Sequence, residues 1–170
     1  MDNNFLTFSI SEHRYFTISI DSNKETYMQA LQFSLKADHI EILWNSQQFI
    51  LTQGLDAIQQ QSLAQGIWSE FAIEKMIYLI EELLESEPQL RQVQGRAITS
   101  DPMMQLLNQL FFKTSNPVDR VQFEHAFNDF VDHLNYYLHQ VKEDQQQVFV
   151  YFVMIREMMH HLKIQEISIK

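Results

Sequence analysis

The chain has 170 residues, a formal net charge of -10 and no cysteine. That length suits one domain. The charge opposes the lysine- and arginine-driven binding of nucleic acid, and the missing thiols exclude disulfides, thiolate metal sites and cysteine nucleophiles. Neither a basic region nor an apolar run of the signal-peptide kind follows Met1, so the expected compartment is the cytoplasm.

From residue 5 to residue 52 the pattern has the period of strands. Phe5, Thr7 and Ser9 alternate with Leu6, Phe8 and Ile10. Phe16, Ile18 and Ile20 alternate with Tyr15, Thr17 and Ser19. After the turn cluster at Asp21–Lys24, Tyr27, Gln29, Leu31, Phe33 and Leu35 continue the alternation. Ser22 and Glu25 have capping-box spacing, and Tyr27, Leu31 and Leu35 also fit a helix face. Strands on both sides favour the strand reading. Ile40–Trp44 and Phe49–Thr52 complete an expected antiparallel meander of about five short strands.

From Gln53 the period turns helical. Leu55–Gln65 is short and Gln-rich. Ile67–Glu85 gathers Trp68, Ala72, Met76, Leu79, Ile80 and Leu83 on one face. Ser86–Ser100 reads as a polar connection. Asp101-Pro102 and Asn116-Pro117 each look like a helix start with Pro in the first turn. They open Pro102–Lys113 and Pro117–Val141, the latter with a stripe of Phe123, Phe127, Phe130, Leu134, Tyr137 and Val141. Gln147–Leu162 is apolar nearly all round. A membrane span needs about 20 apolar residues, and Arg156 and Glu157 interrupt this run, so it reads as a buried central helix. Residues 163–170 alternate again as a candidate final strand, although Ile164, Ile167 and Ile169 cannot share one face of a regular strand. The expected fold is therefore one α+β domain over residues 1–170. An antiparallel meander (1–52) packs on a bundle of about five helices (53–162), with the last strand at 163–170.

Gly54, Gly66 and Gly95 are the three glycines, and none lies in a dinucleotide or P-loop cradle. No GxSxG or HExxH occurs. The expectation is a non-enzymatic protein without a cofactor. Glu70, Glu74, Glu81 and Glu85 line the outer face of Ile67–Glu85, and Asp129, Asp132 and Tyr136 the outer face of Pro117–Val141. Like charges at i, i+4 weaken a helix by about 0.2–0.5 kcal/mol each, so the stripe suggests a negative face that steers a basic protein partner. The class that fits is an immunity-type inhibitor neutralising a basic, nuclease-like toxin, or an adaptor, with no direct contact to nucleic acid or membrane. A homodimer through a sheet edge or the Tyr136 face is a third arrangement.

The alternative is metal or acid–base chemistry on the C-terminal helices. His125, Asp129 and His133 are spaced i, i+4, i+8, and Glu157 and His160 are spaced i, i+3. The two outer histidines of the first set lie about 12 Å apart along a helix axis and cannot share one ion. A ferritin-like dinuclear site would need a second ExxH pair.

Overall fold

Period-two alternation buries one face of a sheet, and β3 (Leu31–Leu35) shows it with Leu31, Phe33 and Leu35 inside. The computed structural model describes residues 30–170. Before them it gives only the backbone of β1 (Phe5–Leu6) and β2 (Ile18–Ser19), which pair antiparallel. The remaining N-terminal alternation, and the stretch from Tyr27 to Gln29, lie outside the described residues.

β3 is followed by β4 (Ile40–Trp44) and β5 (Gln47–Leu51), an antiparallel trio joined by tight turns. β6 (Gly95–Thr99) then lies parallel to β3, and β8 (Ile164–Ile169) parallel to β6. β7 (Val118–Asp119) closes the edge antiparallel to β8. The strand order is β5-β4-β3-β6-β8-β7. The expected all-antiparallel meander is thus incorrect: the sheet is mixed. Its strand β6 was hidden inside the supposed polar connection. Gly-Arg-Ala-Ile-Thr buries only Ala97 and Thr99, too little apolar mass to register as a strand. Parallel pairing also needs long crossovers, which no local pattern reveals.

The sheet has one buried face. Ile40, Ile42, Phe49, Leu51, Ala97, Ile164 and Ile167 join the β3 residues beneath the helices. On the other face Gln32, Leu43, Gln48, Ile50 and Arg96 are exposed, and Ser34, Glu41, Ile98, Glu166 and Ser168 are half-buried. A bulge in β8 resolves the isoleucine problem. Gly95 opposes Ile164 and Arg96 opposes Glu166, so Gln165 is the extra residue. Past it the parity changes, and Ile167 and Ile169 return to the core side beside Ile164.

The helices are α1 (Leu55–Ser62), α2 (Glu70–Glu85), α3 (Pro102–Leu107), α4 (Arg120–Asp132), α5 (Leu134–Leu138) and α6 (Gln147–His161). The long helix expected over 117–141 is divided. Val118-Asp119 is taken by the sheet, and Asp119 and Gln122 form a capping box that starts α4. His133, at φ -121° and ψ 34°, ends it before α5. α6 is the central element: every residue from Val148 to Ile155 is buried. Phe152 is ringed by Phe111, Phe123, Phe127 and Phe130 at centroid distances of 4.7, 5.1, 5.6 and 5.7 Å. Among the described residues no helix is long and apolar enough to cross a membrane.

Candidate active site

In open sheets with parallel strands, ligands gather beyond the carboxyl ends of those strands. Here that end is built around Asp101, which follows β6. Asp101 holds the N-cap position of α3, yet its side chain caps nothing there. It turns to the neighbouring strand instead. Its Oδ1 accepts from Ser34 Oγ at 2.8 Å, and its Oδ2 accepts from the Leu35 amide at 2.9 Å and the Tyr151 hydroxyl at 3.3 Å. Tyr151 is fully buried in α6. Burial, and then the adjacent Asp101 carboxylate, push its phenol well above the ordinary value.

One residue beyond Leu35 the β3–β4 turn begins, and together with the start of β4 it carries four more charged or titratable groups. Glu41 Oε1 accepts from Lys36 Nζ at 2.8 Å and lies 2.9 Å from His39 Nε2, while His39 Nδ1 lies 2.7 Å from Asp38 Oδ1. Hydrogen bonds to Glu41 and then to Asp38 raise the His39 pKa, which favours the imidazolium. Lys36 and His39 in turn hold the Glu41 carboxyl below its usual range. The turn is fixed from below. Leu55 N donates to Lys36 O and Asp56 N to Ala37 O, both at 2.9 Å, so the first amides of α1 are used up on the turn. The Leu55 and Asp56 amides are thus occupied by the turn, and the cations Lys36 and His39 are the charged groups placed to meet an anion there.

A second polar cluster lies at the far end of α6. Arg156 Nε donates to Glu124 Oε1 at 3.2 Å and its Nη1 donates to Glu157 Oε1, while its guanidinium stands 5.0 Å from the Phe127 centroid. His160 Nε2 bonds the same Glu124 carboxylate. Burial opposes ionisation of Glu124, but the His160 and Arg156 hydrogen bonds outweigh it and lower its pKa. Burial likewise opposes the Arg156 charge, and Glu157 followed by Glu124 more than restores it.

The residues singled out from sequence are distributed as follows. Glu70, Glu74 and Asp132 meet across a groove of about 500 Å³ between α2 and α4, floored by Ile73, Ile77, Phe127 and Val131. Glu81 turns away toward His161 at 3.5 Å. Glu85 and Tyr136 are exposed. Asp129 lies 3.0 Å from His133 Nδ1 and accepts from the Tyr137 hydroxyl. His125 is exposed and is not brought to either partner. Glu157 and His160 do not face a common point, because His160 is claimed by Glu124 and the neighbour of Glu157 one turn on is His161. Sequence reasoning missed Asp101, Ser34, Tyr151 and the Lys36–Glu41 turn. One signal was present: the only hydroxyl inside the apolar run Val148–Ile155 belongs to Tyr151, and a buried hydroxyl needs a polar partner.

No protein-family model and no curated protein sequence matches the chain. Solved structures do match in fold. The PPX-GPPA enzyme of Aquifex aeolicus aligns with a TM-score of 0.66 at 9% identity over 82% of this chain and 53% of that one. The type II variant of the Aquifex aeolicus Ppx/GppA phosphatase gives 0.65 at 9% identity over 82% and 53%. A further structure of that Aquifex aeolicus family member gives 0.61 at 8% identity over 82% and 52%. The chain spans about half the length of the structures it matches. This likeness overturns the expectation of a non-enzymatic immunity-type inhibitor or adaptor. That reading rested on the acidic charge and on the missing short motifs, and groups brought together from strand ends and a hairpin turn leave no such motif. The chain is α+β with a mixed sheet, and its fold is similar to that of the Aquifex aeolicus Ppx/GppA structures.

Proposed function

We propose that the protein is a phosphatase-type hydrolase acting on a phosphate ester or anhydride, with its chemistry at the carboxyl end of β6. One observation carries this reading. The fold shared with Ppx/GppA phosphatases has, at the carboxyl end of its parallel strands, the carboxylate Asp101 one residue from a turn bearing Lys36 and His39. Phosphoryl transfer asks mainly for charge stabilisation and positioning. Lys36 and His39 supply cations for phosphoryl oxygens. Asp101, held as an acceptor by Ser34, the Leu35 amide and Tyr151, supplies the carboxylate that orients the attacking water. Water adds to phosphorus, the bond to the leaving oxygen breaks, and the proton of the water passes to solvent or the leaving group. Residence in the cytoplasm belongs to the same proposal, supported by the absence of cysteine.

The test is phosphate release from inorganic pyrophosphate and from p-nitrophenyl phosphate by the purified chain. Release is expected from at least one of them. It should fall by about 10²-fold or more in Lys36→Ala/His39→Ala, a change at an exposed lysine and a half-buried histidine, both outside the core. No release from either substrate, or release untouched by that double change, would refute the assignment.

A further inference from the structure

At the end of α6 opposite Asp101, three side chains from two helices converge. Glu81 comes from α2, and Glu157 and His161 come from α6 at i, i+4. His161 Nε2 stands 3.5 Å from Glu81 Oε1 and 4.0 Å from Glu157 Oε2, and all three donor atoms lie within 4.8 Å of one another. These separations are longer than the roughly 2.7–3.2 Å of a good hydrogen bond. Bonds of about 2.0–2.2 Å place the ligand atoms of a coordination tetrahedron roughly 3.3–3.6 Å apart; the His161–Glu81 separation has that length, and Glu157 Oε2 stands a few tenths of an ångström beyond it. We propose that Glu81, Glu157 and His161 form a divalent transition-metal site, with zinc the best-fitting ion, joining the C-terminal ends of α2 and α6.

Three further features support it. Glu157 is only 2% exposed, so its carboxylate is held in place and not drawn from a mobile surface group. Its Oε1 is fixed by Arg156, while its Oε2 takes no hydrogen bond from a described residue and is directed at His161. An outer partner on one ligand oxygen is the usual way a metal carboxylate is oriented. The charge count also calls for a cation. Among the described residues Glu124 and Glu157 share the one guanidinium of Arg156, and Glu81 meets only the His161 imidazole. Finally, α2 has no basic residue in its last turn, and both helices direct their negative dipole ends here. One imidazole and two carboxylates suit zinc, manganese or iron(II) more than magnesium, and they leave a coordination position for water.

Zinc alone is the probe, titrated calorimetrically into the metal-free full chain, with cobalt(II) absorption as a report on geometry. One equivalent should bind, raise the Tm, and give the intense visible bands of four-coordinate cobalt. Glu81→Gln and His161→Ala should each weaken zinc affinity by more than about tenfold. His160→Ala, whose ring faces Glu124, should bind as the parent does. Glu81 has a side chain 44% exposed, so Glu81→Gln keeps the fold and isolates the ligand effect. The proposal is overturned by absence of saturable binding, by unchanged affinity in Glu81→Gln and His161→Ala, or by a loss confined to His160→Ala.

Discussion

A β-carbon on Gly54 would stand 2.4 Å from the carbonyl oxygen of Ala37 and equally close to the amide of His39. Gly54 has φ -106°, so its need for glycine is one of space and not of dihedral. The obstructing atoms are backbone and cannot rotate away. Gly54→Ala should therefore cost about 1–3 kcal/mol by overpacking, read as a Tm fall of roughly 2–4 °C per kcal/mol for a chain of this size. It should also displace the turn carrying Lys36 and His39. Any phosphate-releasing activity would then fall by more than the stability loss explains. Wild-type stability in Gly54→Ala would show that the turn and the start of α1 are not in contact.

The ring cluster around Phe152 gives a second expectation. Phe152 is fully buried and touches four other rings, whereas Val121, on the outer side of α4, is 66% exposed. Phe152→Ala should cost about 3–5 kcal/mol and Val121→Ala within about 0.5 kcal/mol, measured by urea unfolding. Similar costs for the two would contradict α6 as the centre of the core.

Acid stability should depend on Glu124. Its folded pKa lies below the ordinary 4.5, because the His160 and Arg156 hydrogen bonds outweigh the cost of burial. A carboxylate depressed in this way stabilises fully above its unfolded pKa and loses that contribution as pH falls through the folded value. Glu124→Gln should be less stable than the parent at pH 7, and the gap should close as the pH drops below about 4.5. A gap that stays constant from pH 7 to pH 3 would remove the ionic role.

Tyr137 offers a spectroscopic check. Burial, and then its hydrogen bond to the Asp129 carboxylate, raise its phenol to about 12. In an alkaline absorbance titration one tyrosine should ionise near that pH, and Asp129→Ala should bring its midpoint down toward 10 without abolishing the part due to burial. An unmoved midpoint in Asp129→Ala would show that the carboxylate does not reach the phenol.

What the sequence disclosed follows from range. Helices announce themselves over a few turns, so the aromatic stripe of Phe123, Phe127 and Phe130 and the all-round apolarity of Val148–Ile155 were legible. β6 was not, because Ala97 and Thr99 carry little hydrophobic signal and its partners, β3 and β8, lie more than 60 residues away on either side. The candidate site was less legible still. Asp101 reads locally as a helix start, and only the packing of β6 against β3 turns its carboxylate onto Ser34 and Leu35. On α6 the ExxH spacing drew attention to His160, but Glu124 on another helix captures that ring and leaves His161 as the neighbour of Glu157.

The extra residue in β8 is what brings Ile164, Ile167 and Ile169 to one side of the sheet. Gln165 is exposed and polar, a position where substitution should be nearly silent. Its deletion should be tolerated too: Ile164 would still oppose Gly95, Glu166 would still oppose Arg96 and Ile167 would still oppose Ala97, now in an unbroken ladder. Deleting Ile167 instead would bring Ser168 under the helices and turn Ile169 to the open face, so this strand counts its residues everywhere except at the bulge.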